Sequence, residues 1–252
     1  MSKLPMLSRD QMKVLQPMLP RARGLRRVDD RRVISGIIYV IRHGLQWKDA
    51  PIGFGPHKTL YNRFIRWSER GIFGKILATL VAQAGVPDCL MIDSTHLKAH
   101  RTAASLRKKG LPPRKIGRTR GGLNSKLHTV CDGAGRPVAV LLTEGQRSDH
   151  KGAGILLPAL PDACHLIADK GYDRDCFRKA LAARSIAACI PSTKARKRRL
   201  SHDGHLYGQR HRIENPLGKL KDWRRIATRY DRCAHTFFSA IYLAATIIFW
   251  SP

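Results

Sequence analysis

The chain has 252 residues, 47 Lys+Arg against 18 Asp+Glu for a formal net charge of +29, and 43% hydrophobic residues. That length holds one large domain or two ordinary ones, and the apolar share excludes a chain disordered throughout. A charge this high selects polyanionic partners, nucleic acid foremost, and leaves open whether the protein only binds or also does chemistry.

Met1 to Met6 lacks the apolar run of a secretory signal, so the expected compartment is the cytoplasm, in association with the nucleoid. The six cysteines are scattered without a Cys-x-x-Cys pair, which argues against a zinc ribbon or a disulfide framework and for reduced thiols. Ser8 is placed to cap a first helix. Val33, Ile34, Ile37, Ile38 and Ile41 give a second helix a wide apolar face, closed by Gly44 and Pro51. His57 to Arg70 forms a third, with Leu60, Phe64 and Trp67 on one side and Lys58, Arg63 and Arg66 elsewhere. Residues 1–87 therefore read as an all-α, helix-turn-helix-like domain whose third helix offers Lys58, Arg63 and Arg66 to DNA. A packing domain with a basic exterior is the alternative.

Beyond Pro87 short β-rich runs alternate with helical ones, so 88–252 is read as a second domain. Cys89–Ile92 is an apolar run ending at Asp93. Lys126–Cys131 and Pro137–Thr143 read as a hairpin around Asp132-Gly133-Ala134-Gly135. A helix or lid follows near Asp149–Leu157, and His165–Ala168 is a second apolar run ending at an acid, Asp169. Asp173 is placed to cap a helix to Arg184, Ile186–Ile190 is a further strand, and helix resumes from Tyr207 to Trp250 with a break near Pro216. Thr236–Trp250 is uncharged but falls short of the ~20 residues of a bilayer span, so a buried helix is expected and no membrane partner. Two stretches are strongly basic: 101–124, with eight basic residues and no acid, and Lys194–Arg199, in which Arg196, Lys197 and Arg198 are candidate phosphate contacts.

Asp93 and Asp169 end their apolar runs alike, as two buried neighbouring strands would if they delivered acids to one sheet edge. Tyr207, Arg210, Glu214 and Lys221 follow at offsets of 3, 7 and 14, which on a continuous helix fall within about 60° of arc. Such a stripe also fits an ordinary salt-bridged helix face.

Together these stretches resemble the DDE transposases of bacterial insertion sequences, in the insertion-sequence-five group. The resemblance rests on Ile92-Asp93-Ser94-Thr95-His96, Gly121 to Lys126, Leu142-Thr143-Glu144-Gly145, Ala168 to Asp173, and Arg212-Ile213-Glu214-Asn215 with Leu220-Lys221. It implies a ribonuclease H-like α/β fold, a mixed sheet flanked by helices, behind a helical region that recognises the element's terminal inverted repeats. It also implies that Asp93, Asp169 and Glu214 are the catalytic acids.

Three carboxylates suit Mg²⁺, with Mn²⁺ as a substitute, because both are hard ions that prefer oxygen ligands. Two such ions about 4 Å apart can activate the attacking oxygen and stabilise the leaving one, so no Ser or Tyr nucleophile is required. Arg210 is placed to orient Glu214 or hold a phosphate, and Tyr207 and Lys221 to position DNA. His96 and His128 are read as structural. Pro216 and Cys176 depart from the family's pattern, and Pro216 puts a continuous helix in doubt.

The expected reaction is metal-dependent cleavage of double-stranded DNA at the terminal inverted repeats followed by strand transfer into target DNA, by a homodimer or larger assembly. A ribonuclease H-like nuclease without strand transfer, and a non-catalytic or decayed DNA-binding regulator, are the alternatives.

Overall fold

The computed structural model describes residues 4–20, 28–105 and 114–251. Met1 to Lys3, and Arg107, Lys108 and Lys109 of the first basic stretch, lie outside them. Among the described residues four α-helices come first. α1 (Arg9–Leu15) starts from a capping box: the Gln11 N–H donates to the Ser8 hydroxyl and the Ser8 N–H to the Gln11 side chain. α2 (Asp30–His43) buries Val33, Ile34, Ile37, Val40 and Ile41 and ends at Gly44, whose φ of 70° is the left-handed turn glycine adopts without strain. α3 (His57–Glu69) turns Leu60, Phe64 and Trp67 inward, and α4 (Ile72–Gln83) adds Phe73, Ile76 and Leu77 to the same core.

The rest of the chain builds a mixed sheet. β1 (Cys89–Ala99) lies antiparallel to β3 (Gly122–Asp132), which pairs antiparallel with β4 (Pro137–Glu144) and, at its start, with the short β2 (Gly117–Thr119). On its other side β1 runs parallel to β5 (His165–Ala168), and β5 parallel to β6 (Ala187–Cys189). Farther along, β1 also pairs with the two-residue β7 (Thr228–Arg229).

Alternation then loads both faces. Leu90, Ile92, Val130, Leu166 and Ala168 face α5 (Asp149–Leu156) and α6 (Asp175–Ala182). Cys89, Met91, Cys131 and Ile167 face the segment holding Ile213 and Leu217. Leu97, Leu127, Val140 and Leu142 join the large cluster of the N-terminal helices.

The break expected near Pro216 falls just before it, and the C-terminal third is interrupted more often than expected. α7 (Gly204–Tyr207) gives way to a 3-10 turn over Gly208–Ile213, and a new helix, α8 (Glu214–Lys221), starts at Glu214. Pro216 explains the restart, because it has no N–H to donate to residue 212 and its ring crowds that carbonyl. Within the first turn of α8 neither defect costs a hydrogen bond. α9 (Arg224–Ala227) and α10 (Ala234–Trp250) follow. α10 packs against α2, α3, α4, α8, α9 and β4, so its apolar surface is interior. Among the described residues no helix is long and apolar enough to cross a membrane.

Candidate active site

Asp93 does not end its strand. β1 continues to Ala99, and Asp93 stands midway, one residue past the point where the β1–β5 ladder ends at Ile92 opposite Ala168. Asp169 is the residue after that same rung, so parallel pairing brings the two acids side by side. The Ser94 N–H donates to Asp93 Oδ1 at 2.7 Å, and the Gly171 N–H to Asp169 Oδ1 at 2.8 Å. Burial pushes the Asp93 carboxyl up, and the neighbouring Asp169 and Asp149 charges push it the same way against Ser94 and Arg210.

Glu214 reaches this pair through Arg210. Arg210 Nη1 is 3.5 Å from Asp93 Oδ2, and its Nη2 is 3.4 Å from Glu214 Oε1. The guanidinium thus lies between the two carboxylates. Glu214 is the most open of the three partners, its side chain 62% exposed. Among the described residues no group of three or more His, Cys, Asp or Glu side chains is close enough together to hold a metal ion. Asp93 and Asp169 do supply paired hard oxygen donors, and the mutual repulsion of these acids is what a divalent cation relieves.

Beneath Asp93 lies a set of polar contacts that sequence reasoning missed. The Ser94 hydroxyl donates to Asp149 Oδ1 at 2.5 Å, and Lys126 Nζ to the same oxygen at 3.1 Å. Lys126 is only 12% exposed. These bonds pull Asp149 below the usual carboxylate range against its burial. The available signal is a lysine, Lys126, directly before the buried Leu127 in the middle of a strand. His128 is fully buried, its Nε2 3.0 Å from Thr143 Oγ1, in keeping with a structural reading. Burial drives its pKa down to about 4.

The other sequence-derived site residues separate into two groups. Lys58, Arg66, Lys197, Arg198 and Lys221 are exposed, and Lys221 stands close enough to His96 to help depress its imidazole, after burial and Lys126. Arg63, Tyr207 and Arg196 are engaged within the chain. Arg63 pairs with Asp30 and lies 5.5 Å from the Trp67 ring centre, and Tyr207 packs on the cluster of Cys89, Met91 and Ile213. Arg196 binds Asp173, whose carboxylate does not cap α6 but also accepts from Arg178 and from the Thr193 N–H. Burial would raise that carboxyl, and the three donors hold it far below the ordinary range.

A mixed sheet flanked by helices, with one acid on a central strand and a second directly after its parallel neighbour, defines a ribonuclease H-like α/β fold. The family follows from two models that match the chain: "Transposase DDE domain" over residues 84–250 and "Putative transposase of IS4/5 family" over residues 7–77. The chain belongs to the DDE transposases of insertion sequences and is an enzyme of transposition.

Among its relatives is the "Putative transposase for insertion sequence element IS6501" of Brucella ovis, 36% identical over 127 residues that span 50% of this chain and 98% of the relative. The "Putative transposase for insertion sequence element IS402" of Burkholderia cepacia is 29% identical over 170 residues, 60% of this chain and 78% of that one. A cryo-EM structure of the piggyBac transposase synaptic complex with hairpin DNA superposes with a TM-score of 0.52, covering 96% of this chain and 70% of that one at 9% identity. At that identity the likeness concerns the fold.

Proposed function

We propose that Asp93, Asp169 and Glu214 are the catalytic acids of this transposase, acting on double-stranded DNA at the terminal inverted repeats of its own element and joining the freed 3′ hydroxyl to target DNA. The observation that carries this reading is the convergence of two carboxylates at one rung of the β1–β5 ladder, with Glu214 tied to the first through Arg210. Asp93 and Asp169 would hold a divalent ion, Mg²⁺ or Mn²⁺, and Glu214 would complete the set. Such an ion supplies charge to the attacking and leaving oxygens of the phosphodiester. Arg210 spaces the Asp93 and Glu214 carboxylates and offsets their repulsion, and Ser94 with Gly171 aims the two aspartates. Lys221, exposed and close enough to His96 to help depress its imidazole, contacts the DNA backbone.

The helical segment 1–87 contributes end recognition through α3, where Lys58 and Arg66 are exposed and Arg63 serves the fold. Joining two ends calls for a dimer or larger assembly on DNA, and the nucleoid is the place of action.

The test uses purified chain and labelled DNA carrying one element end with its flank, in Mg²⁺ and in EDTA, comparing wild type with Glu214→Gln and Asp93→Asn. Cleavage at the boundary is expected only in wild type with metal, with a loss of at least about a hundredfold in each variant. Equal end binding by all three with no cleavage by wild type would falsify the catalytic assignment and leave a DNA-binding regulator.

A further inference from the structure

The basic run Lys194–Arg199 is not uniform in the structure. Lys194, Lys197, Arg198 and Arg199 are exposed, whereas the Arg196 side chain is 15% exposed and turned inward. Its Nε donates to Asp173 Oδ2 at 2.9 Å, its Nη2 lies 2.9 Å from Asp173 Oδ1, and its Nη1 lies 2.7 Å from Asp175. Asp173 has no exposed side-chain surface and receives two further donors, Arg178 Nε at 2.9 Å and the Thr193 N–H at 2.8 Å. This fork-to-carboxylate geometry is the strongest and most directional form of ion pair. It fastens the start of the basic loop to the segment that leaves β5. Between the loop and the start of α6 runs an open cleft of about 440 Å³, in which Arg174, Thr193, Lys197 and Arg198 stand beside the clasp residues Asp173, Asp175 and Arg196. Asp173 lies only four residues beyond Asp169, so the loop is tied to the same short segment that carries the second candidate acid.

We propose that Asp173 and Arg196 form a clasp that poses Arg174, Lys197 and Arg198 as a binding surface for the DNA phosphate backbone, Arg196 being the latch and not itself a phosphate contact. The inference rests on the DNA-directed reading of the active site given above. Phosphate contacts gain when several charges are already held near the spacing of the backbone, because a run of flexible cations gives up part of its attraction to the ordering of side chains and loop. Burying one arginine of the run on a fixed carboxylate removes the freedom of the loop while leaving its other charges facing out.

Salt titration of binding by the full-length chain to a labelled duplex element end tests this. Lys197→Gln with Arg198→Gln removes two contacts and is expected to weaken binding about tenfold or more, with the slope of log K against log salt falling by about 1.8. Arg196→Lys keeps the formal charge but cannot span both Asp173 oxygens and Asp175 at once. It is expected to weaken binding several-fold and flatten the slope, whereas an Arg196 that touched phosphate directly would be replaced by lysine with little change. Asp173→Asn makes the chain more positive, yet is expected to bind more weakly.

Circular dichroism melting separates loss of the clasp from loss of fold. Should Asp173→Asn not fold, Arg196→Lys, which leaves the buried carboxylate in place, decides alone. Wild-type affinity and slope in Arg196→Lys, or an unchanged slope in the double variant, overturns the clasp. Wild-type cleavage alongside that result leaves the catalytic reading standing, while a wild-type chain that fails to bind DNA removes both.

Discussion

At the scale of single residues, contacts decide what residue type leaves open. Gly152 on α5 lies directly over the His128 ring, and a Cβ there would overlap three of its atoms. In an open helix Gly→Ala adds about 1 kcal/mol of stability. Here the sign reverses, and Gly152→Ala is expected to cost about 1–3 kcal/mol by overpacking, as read from the urea midpoint. The same ring sets a pH response. His128 is held neutral in the fold, with its pKa near 4, while in the unfolded chain it takes up a proton near 6.5. The unfolded state therefore binds more protons between those values, so stability falls as pH drops from about 6.5 to about 4, by up to about 3 kcal/mol, and this contribution levels off below. Urea unfolding at steps across that range should show a shallower acid slope in His128→Gln than in wild type.

Asp93 and Asp169 are legible as a pair because each directly follows an apolar run, and that shared position puts them after the same rung of two paired strands. Arg63 and Arg196 were not legible. Their partners Asp30 and Asp173 stand 33 and 23 residues away, and nothing in a basic residue's local sequence tells whether it meets a phosphate or a buried carboxylate.

At the scale of elements, the spacing of Arg210 and Glu214 is legible as proximity, and Pro216 as a break whose place is legible only approximately. Arg210 and Glu214 do interact, but from a 3-10 turn and the first residue of α8 and not along one long helix. A proline three residues into the new helix marks the restart. Its placement carries a prediction: removing a proline from a helix interior gains about 3 kcal/mol, whereas Pro216→Ala is expected to stay within about 1.5 kcal/mol of wild type in thermal melts. The short strands β2 and β7 went unseen for a different reason. Three and two residues carry no periodicity, and their pairing is decided by what lies beside them in the sheet. The β3–β4 hairpin was readable because Asp132 closes its turn, accepting from the Ala134 and Arg136 N–H groups.

At the scale of the whole molecule, the helical segment before Pro87 and the sheet behind it are joined in packing. One apolar cluster runs from Leu7 and Ile37 through Phe64 and Phe73 to Phe237, Ile241 and Ile248 of α10, and on to Leu127 and Leu142 of the sheet. The change of period at Pro87 marked where helices give way to strands, and period alone says nothing of which surfaces later meet. Residues 1–87 expressed alone are expected to lack a cooperative thermal transition and to bind a hydrophobic dye, because α10 is missing from their core. A sharp, dye-silent melt of that fragment would overturn this view of the packing.

The shared core also has a consequence in time. α10 begins about 150 residues after α4 ends. At about 5–20 residues per second a ribosome takes roughly 8–30 s to cover that distance. Throughout that interval α1 to α4 are expected to wait with part of their apolar surface uncovered, a target for chaperones until α10 emerges to cover it.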